Sequence, residues 1–232
     1  MVFMESQQKI PSCVGLVMDG NRRWAKEKGL RAAEGHFRGY LKLKEVLSWT
    51  REIGIKHLVV YAFSTENWQR SEEEVLALMD LFRLMIIKEG DDFIHDNGRI
   101  KFVGQREKFP EDLQKGMNDL EKRSAKGEFT LYVCLSYGGR AEILEAVSKM
   151  CAKKVPAKIT EVEFQKYLWT NDMPDPDLVI RTGGEKRLSN FLPWQTVYSE
   201  LFFPETYFPA LTKKEFLSIM KEYGKREIRR GK

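Results

Sequence analysis

Hydrophobic positions along the chain gather into six short runs: Cys13–Met18, Leu58–Phe63, Ile100–Val103, Thr130–Leu135, Leu178–Ile180 and Leu201–Phe203. Runs of this length, apolar and rich in β-branched residues, read as strands buried on both faces. Helical periodicity fills most of the intervals. A strand–helix–strand rhythm predicts parallel pairing, because parallel neighbours need a long crossover connection. The expected fold class is α/β: a central, mostly parallel six-stranded sheet flanked by helices, in one domain spanning residues 1–232. One segment carries more apolar surface than a single core-facing stripe requires. From Glu72 to about Asp96 the periodicity predicts one long helix, opened by Ser71 with Glu74 at capping-box spacing. Between Val75 and Ile87 its apolar residues run nearly all the way round, broken only by Asp80 and Arg83. Such a helix is either wholly buried or packs one face on the sheet and lines a greasy pocket with another.

Composition narrows the picture modestly. The 232 residues are 42% hydrophobic, enough for one sizeable core, and the formal charge of +5 suits an anionic ligand or membrane surface without demanding nucleic acid. No stretch approaches the roughly 18 apolar residues of a membrane span, and Met1–Pro11 lacks the apolar run of a secretion signal, so a soluble, cytoplasmic protein is expected. Cys13, Cys134 and Cys151 have no CxxC spacing and read as small core hydrophobes.

In sheets of this kind ligands bind beyond the carboxyl ends of the strands, so the residues just past each run carry the chemistry. The first run leads into Asp19-Gly20-Asn21-Arg22-Arg23-Trp24, a carboxylate suited to a cation, then a glycine and a helix start suited to phosphate. Phe63-Ser64-Thr65-Glu66-Asn67-Trp68-Gln69-Arg70 comes after the second, and Ser136-Tyr137-Gly138-Gly139-Arg140 after the fourth. The densest cluster lies past the fifth: Arg181, Arg187 and Ser189 bracket Gly183-Gly184, an arrangement suited to holding a diphosphate with guanidinium forks. Glu200 opens the sixth run as a second carboxylate that could share a divalent ion with Asp19. His36 could donate to phosphate, whereas His57 and His95 read as structural. Asp91, Asp92 and Asp96 read as solvated.

Met18–Trp24, Tyr61–Trp68, Tyr137–Arg140 and Asp177–Asn190 resemble, in order, the signature regions of the cis-prenyltransferases, the undecaprenyl diphosphate synthase family. The resemblance covers residues from about 12 to 231. It implies a fold with a hydrophobic tunnel, magnesium as cofactor, a homodimer, and condensation of isopentenyl diphosphate with an allylic prenyl diphosphate to form cis double bonds. Position by position it implies Asp19 as the metal-binding aspartate and Gly20, Asn21, Arg23, Arg31 and His36 around the allylic diphosphate, with Arg22 and Trp24 also binding substrate. Ser64 and Asn67 assist condensation, with Glu66, Trp68 and Arg70 beside the substrate. Arg181, Arg187 and Ser189 match the isopentenyl diphosphate site, Glu200 the second metal carboxylate, and Arg229 with Gly231 an element that reaches the neighbouring subunit's site. Arg22, Ser71, Ser136 and Lys186 depart from residues frequent in the family. Peripheral membrane association through a lipid product is a further expectation. Three alternatives remain at this point: a non-catalytic partner subunit, a member that couples isoprenoids irregularly, and a basic RNA-binding domain.

Overall fold

The computed structural model describes residues 9–152 and 158–227. Six strands, β1 (Cys13–Val17), β2 (His57–Ser64), β3 (Gly98–Val103), β4 (Phe129–Tyr137), β5 (Leu178–Arg181) and β6 (Glu200–Phe202), form one sheet in the order β3-β4-β2-β1-β5-β6. Every neighbouring pair is parallel. The helices are α1 (Asn21–Glu27), α2 (Ala32–Glu52), α3 (Glu72–Arg83), α4 (Gly90–His95), α5 (Glu111–Arg123), α6 (Gly139–Cys151), α7 (Glu161–Gln165) and α8 (Lys213–Lys225). Each strand overlaps its apolar run.

Period-two alternation divides the strands between two cores. Val14, Leu16, Leu58, Val60, Leu131 and Val133 face the larger core, beneath residues of α2, α3, α5 and α8. Cys13, Val17, Val59, Tyr132 and Cys134 face the other, where Met173, Phe191 and Leu192 cover them. A third cluster joins α6 to α7 through Ala146, Met150, Phe164 and Leu168. Cys13 and Cys134 are core residues as expected, but Cys151 is exposed because it ends α6 beyond the packed face.

The segment expected as one helix from Glu72 to Asp96 is three pieces. Ser71 caps α3 by accepting from the Glu74 amide, then a π turn spans Leu84–Lys88 and the chain breaks at Glu89 (φ −111°) before α4. Gly90 marks the break for a packing reason: a Cβ there would lie 2.8 Å from the Leu120 side chain. Of the two readings of its apolar girth, the pocket-lining one describes it. Leu78, Met79, Phe82 and Ile86 are buried, while Leu76 and Ile87 are about half exposed. Between α2, α3, the π turn, α4 and the β3–β4 face lies an apolar hollow of about 390 Å³, whose lining includes Leu43, Leu47, Phe82, Met85, Ile86 and Leu135.

Candidate active site

Parallel strands end on the same side of the sheet, and the chemistry collects there. Val17 pairs with both Tyr61 and Arg181, so Asp19, two residues beyond, lies over the ends of β1, β2 and β5. Arg181, almost wholly buried, donates from Nη2 to Asp19 Oδ2 at 2.8 Å and from Nη1 to Ser189 Oγ at 2.7 Å and the Arg187 carbonyl at 2.6 Å. The Gly20 amide donates to Asp19 Oδ1 at 2.6 Å, and Arg23 Nη2 stands 3.2 Å from the same atom. Burial opposes ionisation of Asp19, but the Arg181 hydrogen bonds and charge, with Arg23 and the Gly20 amide, outweigh it and hold the carboxyl below its ordinary value. Asp19 is therefore a carboxylate at neutral pH.

Two glycines permit this crowding. Gly20 precedes α1 with φ 100°, a left-handed conformation that a side chain disfavours, and a Cβ there would meet Tyr207 at 2.5 Å. Gly183, with φ 85°, lets the backbone pass close under Arg23, whose Nη2 would lie 2.6 Å from a Cβ.

A second charged group stands across the cleft. Glu74, partly buried on the first turn of α3, accepts from Arg70 Nη1 at 2.7 Å, lies 3.2 Å from His36 Nε2 and 3.6 Å from Arg22 Nη1. Burial drives the His36 pKa down against the opposing pull of Glu74, with Arg70 and Arg22 adding to the fall, so the ring is neutral at neutral pH. Burial also works against the Glu74 carboxylate, yet His36, Arg70 and Arg22 hold its pKa below the usual value.

Two recesses open here. Gly20, Asn21, Arg22, Arg23, Lys26 and His36 contribute to the first. Ser64, Glu66, Asn67, Arg181, Ser189 and Asn190 contribute to the second. Met18, Asp19, Asn21, His36 and Arg70 line both, so the recesses join at Asp19. Ser64 and Asn67 flank and form the 3₁₀ turn Thr65–Gln69, in which Asn67 Oδ1 accepts from the Ser64 amide at 3.0 Å. Asn190 Nδ2 donates to Glu66 Oε1 at 3.0 Å, tying the segment after β2 to the segment after β5. Leu78 of α3 lines the second recess, and Phe82, one turn on, lines the apolar hollow.

Several expected residues lie elsewhere. Glu200 pairs with Leu178, which aligns with Val14 at the start of β1, so it sits at the opposite end of the sheet from Asp19 and pairs with Arg226 at 2.5 Å. The two carboxylates therefore do not share an ion within one chain. Trp24 faces away from the cleft, beside Leu30, Arg38, Leu41 and Pro209. The Trp68 ring turns into the core against Phe63 and Phe109, its Nε1 donating to Ser136 Oγ at 2.9 Å. Arg31 is exposed and pairs with Glu34 at 3.5 Å. The Arg187 guanidinium is exposed on Glu185, and only its backbone carbonyl supports Arg181. Arg229 and Gly231 lie outside the described residues. Asp91, Asp92 and Asp96 are exposed as expected, although each has a basic partner. Sequence reasoning missed Glu74, which looked like a capping residue only, and Asn190, whose place at the end of the arginine cluster was its one signal.

Among the described residues no three His, Cys, Asp or Glu side chains gather into a metal cage. A lone ionised carboxylate beside recesses lined by arginines still fits magnesium, which takes one or two carboxylates and completes its shell with phosphate oxygens and water.

Residues 17–231 match the family described as "Putative undecaprenyl diphosphate synthase". An isoprenyl transferase of Thermotoga maritima is 44% identical over 229 residues, covering 96% of this chain and 97% of that protein. A tritrans,polycis-undecaprenyl-diphosphate synthase (geranylgeranyl-diphosphate specific) of Thermococcus kodakarensis is 45% identical, covering 96% and 88%. Among solved structures, lavandulyl diphosphate synthase from Lavandula x intermedia, in complex with dimethylallyl diphosphate, superposes with a TM-score of 0.92 at 32% identity, covering 96% of this chain and 99% of that one. A probable undecaprenyl diphosphate synthase from Campylobacter jejuni gives 0.82 at 31%, covering 97% and 100%. With the paired recesses at the strand ends, these likenesses place the chain in a family: it belongs to the undecaprenyl diphosphate synthase family of prenyltransferases.

Proposed function

We propose that the protein is a cis-prenyl diphosphate synthase that joins isopentenyl diphosphate to an allylic prenyl diphosphate, forming a cis double bond and releasing diphosphate. The observation that carries this reading is the junction of two recesses at Asp19, with Leu78 of the second recess one turn of α3 from Phe82 of an apolar hollow. The allylic diphosphate takes the first recess, where Gly20 and Asn21 begin α1 and Arg22, Arg23 and His36 stand around it. Isopentenyl diphosphate takes the second, on Arg181 and Ser189. On entry the phosphate oxygens replace Asp19 and Glu74 as partners of Arg22, Arg23 and Arg70, while Arg181, held by Ser189 and the Arg187 carbonyl, keeps its direction.

Holding both substrates at one junction turns a two-body encounter into a local one. The allylic carbon–oxygen bond breaks with its electron pair leaving on diphosphate. The isopentenyl double bond supplies the electrons of the new carbon–carbon bond, and proton loss restores a double bond. Neutral His36 or the released diphosphate can take that proton, while Ser64 and Asn67 can hydrogen-bond the departing phosphate. Asp19 would hold magnesium, which when bound screens the charge of the leaving diphosphate. The growing tail enters the hollow past Leu78 and Phe82. Each five-carbon unit buried there gains at most about 4 kcal/mol at ~0.8 kcal/mol per CH₂, so the hollow is the family's expected tunnel in this reading.

The working unit proposed is a homodimer. Leu144 and Val147 of α6, Val162 of α7, and Val197, Tyr198 and Leu201 beside the β6 edge are exposed, on elements that pack together through Phe164 and Trp194. A cytoplasmic enzyme that meets the membrane through its lipid product is the setting proposed; among the described residues no helix is long and apolar enough to cross a membrane. The lavandulyl diphosphate synthase likeness keeps irregular coupling as a second reading, but the relatives 44–45% identical carry isoprenyl and polyprenyl names. Mass and NMR analysis of products from the purified protein, magnesium, isopentenyl diphosphate and a set of allylic primers tests both. Linear cis-polyprenyl diphosphates are expected; branched products from dimethylallyl diphosphate alone would favour irregular coupling, and no product at all would defeat the reading.

A further inference from the structure

The outer side of the apolar hollow is closed by charge. Along α2, Tyr40, Lys44 and Arg51 lie on one stripe (i, i+4, i+11), and opposite them stand Glu89, Asp92 and Asp96 at the helix break and along α4. All six line the hollow. Glu89 accepts from the Tyr40 hydroxyl and from Lys44 Nζ, the latter at 2.7 Å; Lys44 also stands 3.6 Å from Asp92, and Arg51 Nη1 donates to Asp96 at 2.8 Å. Every one of these links crosses from α2 to the segment after the π turn. Beneath them the lining is apolar.

Two features make this seam separable from ordinary surface pairing. First, α4 is a six-residue helix joined to α3 only through the π turn and the break at Glu89, so its position depends on what holds it from the side. Second, the seam residues line the hollow itself, so opening the seam changes the shape of the apolar space beside it. We propose that the polar seam between α2 and α4, with Lys44 and Glu89 at its centre, sets product length by closing the side of the hollow through which a longer tail would leave. This rests on the reading that the hollow receives the prenyl tail. A tail that has filled the apolar part of the hollow and extends towards α4 must part the ion pairs or lie against them, and neither offers apolar burial.

Lys44→Glu sets like charges against Glu89 and Asp92 and opens the seam; the reversal Lys44→Glu with Glu89→Lys closes it again. The products of wild type and both variants are compared by mass, and amide hydrogen exchange of residues 89–96 reports the seam independently of turnover. The expected result is a shift to longer products by whole isoprene units with faster exchange in Lys44→Glu, and return of both towards wild type in the reversal. Should Lys44→Glu not fold, the near-isosteric Glu89→Gln carries the same expectation at smaller amplitude. Faster exchange with unchanged product length overturns the assignment, as does longer product that the reversal fails to shorten. A wild-type protein that makes no prenyl product while the exchange pattern follows the charges defeats the function proposed above, and the length device with it.

Discussion

Asp19 is held ionised by Arg181 and Arg23 against the pull of burial, and this sets the sign of its pH dependence. Because the folded carboxyl titrates below 3.8, the unfolded chain binds the proton first as pH falls. The stabilisation is complete above 3.8 and is lost as pH drops through the depressed folded value. Asp19→Asn should therefore flatten the acid side of the stability profile, measured by urea unfolding between neutral pH and about 3. It should also abolish turnover while leaving far-ultraviolet circular dichroism unchanged. Arg181→Ala should lower kcat/KM for isopentenyl diphosphate by at least ~10², with a smaller effect on the allylic substrate, because its two anchors aim it at the second recess. His36 should titrate below 6.5 in a proton NMR experiment, and Glu74→Gln should lower it further, since Glu74 is the neighbour that favours the charged ring. Asp19 and Arg181 were legible in the sequence because each lies at the end of an apolar run, and parallel strands bring such positions together. Glu74 was not, because its partners Arg22 of α1 and His36 of α2 reach it only when both helices pack beside α3. Glu200 marks the limit of the same rule: a residue that opens a parallel strand lies at the far end from residues that close one.

At the scale of elements the strands were legible and the long helix was not. Six apolar runs became six parallel strands because burial on both faces leaves a continuous signature. The break at Glu89 left only Gly90 as a sign, and what requires a glycine there is the close approach of Leu120, a neighbour that no local pattern reveals. The inward turn of Trp68 was equally hidden, since it depends on Ser136, which lies near the end of β4 in a left-handed conformation (φ 47°) and presents Oγ to the indole. A different buried group binds β4 to the elements behind the second recess. Glu142 of α6 is almost wholly buried and accepts from the Tyr137 hydroxyl at 2.6 Å, the Thr170 amide at 3.0 Å, the Thr170 hydroxyl at 2.8 Å and Gln195 Nε2 at 3.2 Å. Glu142→Ala strands these donors together, and a buried unsatisfied group costs about 1–3 kcal/mol, so a loss of roughly 3 kcal/mol is expected in urea unfolding. Glu142→Gln, which retains an acceptor oxygen, should lose less. Equal losses for the two variants would mean that the charge of Glu142, and not its acceptor geometry, carries the junction.

For the whole molecule the question is whether one chain contains a complete site. Asp19, Arg181 and both recesses belong to one chain, whereas Glu200 is at the other end of the sheet and Arg229, in the C-terminal tail of the sequence, lies outside the described residues. The exposed apolar side chains beside the β6 edge supply a face on which a second copy can bury area. If the tail completes the neighbour's site, two defective chains should repair one another. A chain carrying Asp19→Ala keeps its tail but has a dead site; a chain ending at Arg226 keeps Asp19 but offers no tail. Each alone should be inactive. In a dimer of the two, the site containing Asp19 receives the tail of the other chain, so one of its two sites is whole. Random reassembly of equal amounts makes half the dimers mixed, and recovery of about a quarter of wild-type activity is expected. A tail that folds back on its own chain predicts no recovery, because the site that has Asp19 would then lack its tail. Sedimentation of the mixture establishes that dimers form, and the recovered rate then reports which chain the tail serves.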